Sequence, residues 1–86
     1  MAKKALEVTV RTRQNVVFKG EAEAVSSVNT VGPFDILAGH TNFVSMIRNM
    51  LTIHKLDGSR MDIVVENGVL VVENNIVQVF LGVTKI

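Results

Sequence analysis

A chain of 86 residues with no cysteine and a net charge of +1 has room for one domain, no disulfide or thiolate metal site, and no strong field to draw nucleic acid or an anionic bilayer. Hydrophobic residues make up 48% and aromatic residues 5%, so the core must be aliphatic, and the abundance of valine favours strands, whose pleated surface suits β-branched side chains. No apolar run reaches the roughly 18 residues that cross a bilayer. The basic start passes at once into a strand pattern containing Glu7, unlike a signal peptide. The lack of cysteine is typical of a reducing compartment.

Leu6, Val8 and Val10 alternate with Glu7, Thr9 and Arg11, the period of a half-buried strand. Arg13-Gln14-Asn15 is a polar break. Val16-Val17-Phe18 predicts a second strand stopped by Gly20, and Ala22 to Val28 a third, with a bulge where its alternation slips between Ala24 and Val25.

Gly32 to His40 is the one long interruption of the strand pattern. It holds the only proline, two of the six glycines and one of the two histidines. Gly32 and Pro33 fix a turn, because proline sets its own φ and pushes the preceding residue out of the helical region. Phe34, Ile36 and Leu37 read as an apolar plug diving inward. Gly39-His40-Thr41-Asn42 returns as a polar, glycine-hinged loop expected to face a partner.

Phe43 to Arg48 and Met50 to Leu56 predict two strands, with Asn49 a turn or bulge between them. Asp57-Gly58, Asn67-Gly68 and Asn74-Asn75 predict tight hairpin turns with positive φ at both central positions. They separate strands at Met61 to Val65, Val69 to Glu73 and Ile76 to Val83, the last weakened at Gly82. No segment carries a helical period with caps. Residues 1–86 therefore predict one all-β domain: a small two-sheet β-sandwich or flattened barrel of about eight to ten mostly antiparallel strands. The late strands are apolar on both faces, at Leu70 and Val72 as well as Val69 and Val71. Either the barrel is closed and its alternation ragged, or one sheet face docks onto a partner.

No catalytic, cofactor-binding or metal-binding set is legible. His40 and Asp35 are at most a pair, and a metal site needs three or four ligands. Ser26, Ser27, Ser45 and Ser59 lie in no hydrolase motif, and His54 reads as a solvent-facing strand residue. No glycine-rich loop leads into a helix, so nucleotide binding is unsupported. Scattered Arg11, Arg13, Lys19 and Lys55, with few aromatics, argue against single-stranded nucleic acid.

The run Val17-Phe18-Lys19-Gly20-Glu21-Ala22, followed by Gly32, Phe34, Ile36-Leu37 and Gly39-His40, carries a resemblance. It continues through Phe43-Val44, Ile47, Leu51-Thr52-Ile53 and Val65-Glu66-Asn67-Gly68-Val69-Leu70-Val71-Val72. Taken in order, from about Leu6 to Val83, these segments resemble the amino-terminal β-sandwich of the rotary F-type ATP synthase ε subunit, called δ in mitochondria. The chain departs from the family pattern in four places. Ala38 stands where the family often has proline, Arg48-Asn49 where it often has Pro-Gly, and Asn67 where it has the first of two glycines. Pro33 stands near a common acidic position, which removes a charge that could meet the membrane ring.

The resemblance implies a non-catalytic central-stalk subunit, not an enzyme. It would link the γ subunit to the c ring and help couple proton or sodium flow to ATP synthesis. Its place would be peripheral, on the cytoplasmic face of the inner or plasma membrane, without direct membrane insertion. It assigns Val31, Gly32, Pro33, Phe34, Gly39, His40, Thr41 and Asn42 to the contact with γ and the c ring, with His40 a hydrogen-bonding residue. Family members usually add two C-terminal α-helices that regulate ATP hydrolysis and in some cases bind ATP. No such helical hairpin, and no cofactor, is expected of these 86 residues. An uncovered sheet would make the isolated piece self-associate. The rival reading is a small ligand-binding β-barrel, or an adaptor for an unidentified partner.

Overall fold

The computed structural model describes residues 5–82. It contains the strands β1 (Leu6–Arg11), β2 (Val16–Val28), β3 (Pro33–Leu37), β4 (Phe43–Lys55), β5 (Arg60–Glu73) and β6 (Ile76–Leu81), and no helix among the described residues. β1, β6, β5, β4 and β2 are hydrogen-bonded in that order, and β2 pairs back onto β1, closing a flattened barrel. β3 is added along the C-terminal half of β2. Of these pairings only β1 with β6 is parallel.

The all-β sandwich expected from the sequence is present, but its eight to ten short strands are six longer ones. Gly20, Asn49 and Asn67-Gly68 lie inside strands without ending them. Gly20 pairs with Val8 inside a continuous β2. Asn49 is a bulge, with φ 74 and a register shift against β5 beside it. Asn67 and Gly68 make no turn, and neither has positive φ. Gly68 is a glycine for a different reason: a Cβ there would sit 2.8 Å from the Phe80 carbonyl oxygen and 3.4 Å from Ile47 Cγ1. The position is a close backbone approach where β5 passes from one layer to the other.

β2, β4 and β5 each contribute one half to each layer. One layer holds β3 and the later halves of β2 and β4 with the first half of β5. The other holds β1, β6 and the remaining halves. On β2 the crossover shows as a register shift between Ala22 and Ala24. Burial then switches phase, from Ala22 and Ala24 to Val25 and Ser27. Ser27 is the polar device at this corner: its hydroxyl donates to the Met50 carbonyl at 2.7 Å, beside the Asn49 bulge.

The interior is filled with aliphatic side chains from both layers. Leu6, Val8, Val10, Leu70, Val72, Val77 and Val79 face Val25, Ile36, Leu51 and Ile53, and Phe18, Phe34 and Phe43 pack around them. Each fully buried Val, Leu or Ile contributes about 1.5–3 kcal/mol. Among the described residues the interior is filled by these side chains, which leaves little room for the lumen a ligand-binding barrel requires.

The expected plug at residues 34–37 is the strand β3, so its side chains alternate. Ile36 is buried, Phe34 packs on the core, and Leu37 is 56% exposed rather than inward. Asn74-Asn75, with φ 51 and 65, is a two-residue hairpin turn as expected. Asp57-Gly58 is not of that type. Only Gly58 has positive φ, and Lys55 N–H donates to the Ser59 carbonyl across a three-residue Leu56-Asp57-Gly58 connection. The last strand ends at Leu81, ahead of Gly82 with φ 70, and its expected final residue Val83 lies outside the described residues, as do the outer bounds of the 1–86 domain.

Two outcomes are expected. Gly68→Ala should cost about 1–3 kcal/mol, because a backbone atom must move to admit the methyl; urea denaturation reads this as a lower midpoint with an unchanged slope. Asp57 accepts the Ser59 hydroxyl at 2.6 Å and the Ser59 amide at 2.8 Å, which holds its carboxyl below the ordinary 3.8. Because the folded-state pKa is depressed, that stabilisation is present above the ordinary value and lost as pH falls through the folded one. Asp57→Asn, which removes the charge, should therefore lower the melting temperature slightly at neutral pH and flatten the acid limb below about pH 4, where the variant and parent profiles converge.

Candidate functional site

β3 sets the geometry of the predicted contact residues by separating them. A five-residue strand spans about 17 Å. Val31, Gly32, Pro33 and Phe34 lie at its start, and Gly39, His40, Thr41 and Asn42 beyond its end. The first group forms a tight turn in which Asn29 and Gly32 exchange backbone hydrogen bonds at 3.1 Å and Asn29 Oδ1 accepts from Val31 N–H at 2.9 Å. Gly32 takes φ 143, and Val31 at the tip is 94% exposed.

The second group is locked to other parts of the chain. Gly39, at φ 87, donates its N–H to Asn75 Oδ1 at 2.7 Å. Asn42 Oδ1 accepts from Asn74 N–H at 3.3 Å. His40 N–H donates to the Leu37 carbonyl at 3.0 Å. Its Nδ1 lies 2.7 Å from the Thr41 carbonyl, and a carbonyl only accepts, so Nδ1 carries the proton and Nε2 is left as an acceptor in the neutral ring. The two groups meet through a residue that belongs to neither. Phe43 packs edge-to-face on Phe34 and on His40, each with ring centroids 5.5 Å apart.

The two outer faces differ in chemistry. On the layer containing β1 and β6, Met46, Val69 and Phe80 form one cross-strand row and Val44, Val71 and Gln78 the next. Val44 is 69% and Met46 58% exposed, and Phe80 is also exposed. Arg11 beside Phe80, and Glu7 and Glu73 beside Ile76, give this apolar centre a polar rim. The doubly apolar late strands pointed to such a face at Val69 and Val71; the β4 residues Val44 and Met46 join it through the strand pairing.

The other face carries a self-bonded polar cluster beside exposed Leu37, Met50 and Val64. Ser26 donates its hydroxyl to Asp35 Oδ1 at 2.5 Å and lies 2.9 Å from His54 Nε2. Since the serine's one proton goes to the carboxylate, His54 Nε2 must donate. Thr52 donates to Asp62 Oδ1 at 2.8 Å. Serine, histidine and acid thus meet, but the serine sits between the other two and gives its proton to the acid. Nucleophilic catalysis needs the histidine to take that proton. Asp35 joins this network and not His40. Among the described residues no three His, Asp or Glu side chains are grouped to hold a metal. At the corner between the layers, Asn29, Met46, Ile47, Arg48 and Glu66 line a surface concavity of about 420 Å³.

Residues 5–83 match the family model for the ATP synthase, Delta/Epsilon chain, beta-sandwich domain. The chain is similar to the ATP synthase epsilon chain of Bordetella petrii, 36% identical over 75 residues, spanning 86% of this chain and 53% of that protein. It is also similar to the ATP synthase epsilon chain of Endomicrobium trichonymphae, 32% identical over 71 residues, spanning 81% of this chain and 51% of that one. It therefore spans about half the length of the curated relatives it matches. Among solved structures, a chain of the Euglena gracilis mitochondrial ATP synthase, in an assembly with the c-ring, superposes with TM-score 0.84 at 18% identity, over 90% of this chain and 50% of that chain. A chain of the Tetrahymena thermophila mitochondrial ATP synthase central stalk and c-ring superposes with TM-score 0.75 at 15% identity, over 94% and 66%. At these identities the structural likeness speaks for the fold.

Gly39 has open space around the Cβ position, so substitution there tests backbone strain alone. Gly39→Ala should cost about 1–2 kcal/mol from the left-handed conformation, and Gly39→Val more, because a β-branched residue tolerates positive φ worse. Thermal melts of the two variants measure the ordering.

Proposed function

This chain belongs to the ATP synthase delta/epsilon β-sandwich family, and from that membership we propose that it serves as a non-catalytic domain of the central stalk, joining γ to the c ring of an F-type ATP synthase. It would turn with them and help couple ion flow to ATP synthesis from a peripheral position on the membrane, at its cytoplasmic face. The observation that supports this most directly is the apolar outer face of Val44, Met46, Val69, Val71 and Phe80. A water-exposed patch of this kind with a charged rim has the composition of an interface centre.

A lasting joint buries about 800 Å² on each partner. A few side chains on three strands fall short of that, so the contact must extend beyond the sheet. The two loop groups would complete it. Val31 at one end of β3 offers an exposed apolar tip, and the Gly39–Asn42 loop at the other offers hydrogen-bonding groups, among them His40 Nε2. The domain's own contribution would be mechanical, a filled barrel that keeps these surfaces at fixed separation.

The test is titration of the parent chain, Met46→Asp and His40→Ala against purified γ and against the γ–c-ring complex. Met46 is exposed, so its replacement should shift stability by no more than about 0.5 kcal/mol. Affinity should fall by roughly tenfold or more for Met46→Asp, from an unpaired charge set into an apolar contact, and by about three- to tenfold for His40→Ala, the worth of one hydrogen bond. Unchanged affinity for Met46→Asp would take the sheet face out of the interface; unchanged affinity for His40→Ala would take out the loop.

A further inference from the structure

The Gly39–Asn42 loop could satisfy its backbone locally, yet two of its polar groups reach residues more than thirty positions away. Gly39 N–H goes to Asn75 Oδ1, a separation of 36 residues, and Asn42 Oδ1 takes the Asn74 N–H, a separation of 32. Asn75 is itself held, because its carbonyl accepts the Glu7 N–H of β1 at 2.9 Å. Three parts of the chain are thereby tied at one end of the barrel: β1, the β5–β6 turn and the loop after β3.

We propose that Asn75 is a positioning residue, whose side-chain amide clamps the Gly39–Asn42 loop and so fixes the direction in which His40 presents Nε2. The proposal rests on the reading above only in what the clamp is for; the clamp itself is a statement about the loop. Without the Asn75 acceptor, the amide of Gly39 turns to water. The glycine, having no Cβ, is then free to leave φ 87. His40 follows Gly39 directly, so its ring moves with that peptide and leaves the edge of Phe43.

One feature of the turn lets clamp and fold be separated. Asn74 and Asn75 occupy the two central positions of a type I′ turn, at φ 51 and 65. Asn-Gly is the dipeptide this turn prefers. Asn75→Gly therefore removes the clamp while leaving the turn as good or better. A purely structural role for Asn75 would give a neutral or stabilised variant with an unchanged loop. Asn75→Asp keeps an oxygen acceptor for the Gly39 amide and a short side chain that tolerates positive φ.

The test is amide hydrogen exchange on the full 86-residue chain, with titration against the γ–c-ring complex alongside. In Asn75→Gly the melting temperature should hold or rise, the Gly39 amide should exchange about tenfold faster or more, and affinity should fall about fivefold. Asn75→Asp should return exchange and affinity close to the parent values. An unchanged Gly39 exchange rate in Asn75→Gly overturns the proposal, as does an Asn75→Asp loop as loose as that of Asn75→Gly. Faster exchange with unchanged affinity upholds the clamp and removes the loop from the partner contact.

Discussion

The whole domain depends on three strands being able to change layers without ending. β2, β4 and β5 are 13, 13 and 14 residues long, about twice the usual strand, and each lies in both sheets. A continuous strand can fold over a core only where its ladder is interrupted or its side chain removed. The chain supplies one device on each: a register shift after Ala22, a positive-φ asparagine at position 49, and a glycine at 68 where no Cβ fits. With the corners in place, the inward positions of all six strands converge on one aliphatic core. A chain of this length buries only about two thirds of its unfolded surface, so closing the barrel through β1 and β2 helps it by leaving fewer open edges.

The corners also decide what each outer face can do. Because the layers share strands, alternation carries through a bulge with its phase shifted, and a run of apolar residues need not end up inside. Val69 and Val71 point away from the core that Leu70 and Val72 enter. On the opposite layer the same outward positions hold Ser26, Thr52, His54, Asp35 and Asp62, bonded across neighbouring strands. Those polar groups satisfy one another, while Leu37, Met50 and Val64 on the same face stay exposed. The face of Val44, Met46 and Phe80 has no such cluster at its centre, so the two sides of a nearly neutral body differ in chemistry.

Much of this was legible in the sequence, and what was missed has a common cause. Alternation around Leu6–Val10, the bulge near Ala24 and the Asn74-Asn75 turn depend on neighbours along the chain, and all three are found. Asn67-Gly68 carries the same local signature as a hairpin turn, but its glycine answers to Phe80 and Ile47, which no local pattern reveals. Leu37 looked like core beside Ile36 because β3 was not read as a strand, and without its pairing to β2 there was no reason for the two to face opposite ways. The residues proposed for the contact were legible as two loops, while their separation by β3 and their link through Phe43 were not. Asn75 was read for its backbone, and its side chain does the longer-range work.

The two kinds of proposed contact surface have complementary physics. Apolar burial is non-directional: it resists separation, but it opposes sliding only through the shapes of the packed side chains. Hydrogen bonds lose most of their strength beyond modest changes of angle, so they resist rotation even where they add little net affinity. On the proposed stalk role, a domain that passes torque between two neighbours would need both, one to stay attached and one to keep register. The fold places them on different parts of the same rigid barrel, the apolar rows on β4, β5 and β6 and the polar groups on the loop after β3. The loop turns on a left-handed glycine, and it is the part braced from outside by a neighbouring turn. Bracing of that kind makes sense where direction, rather than adhesion, is what the contact must preserve.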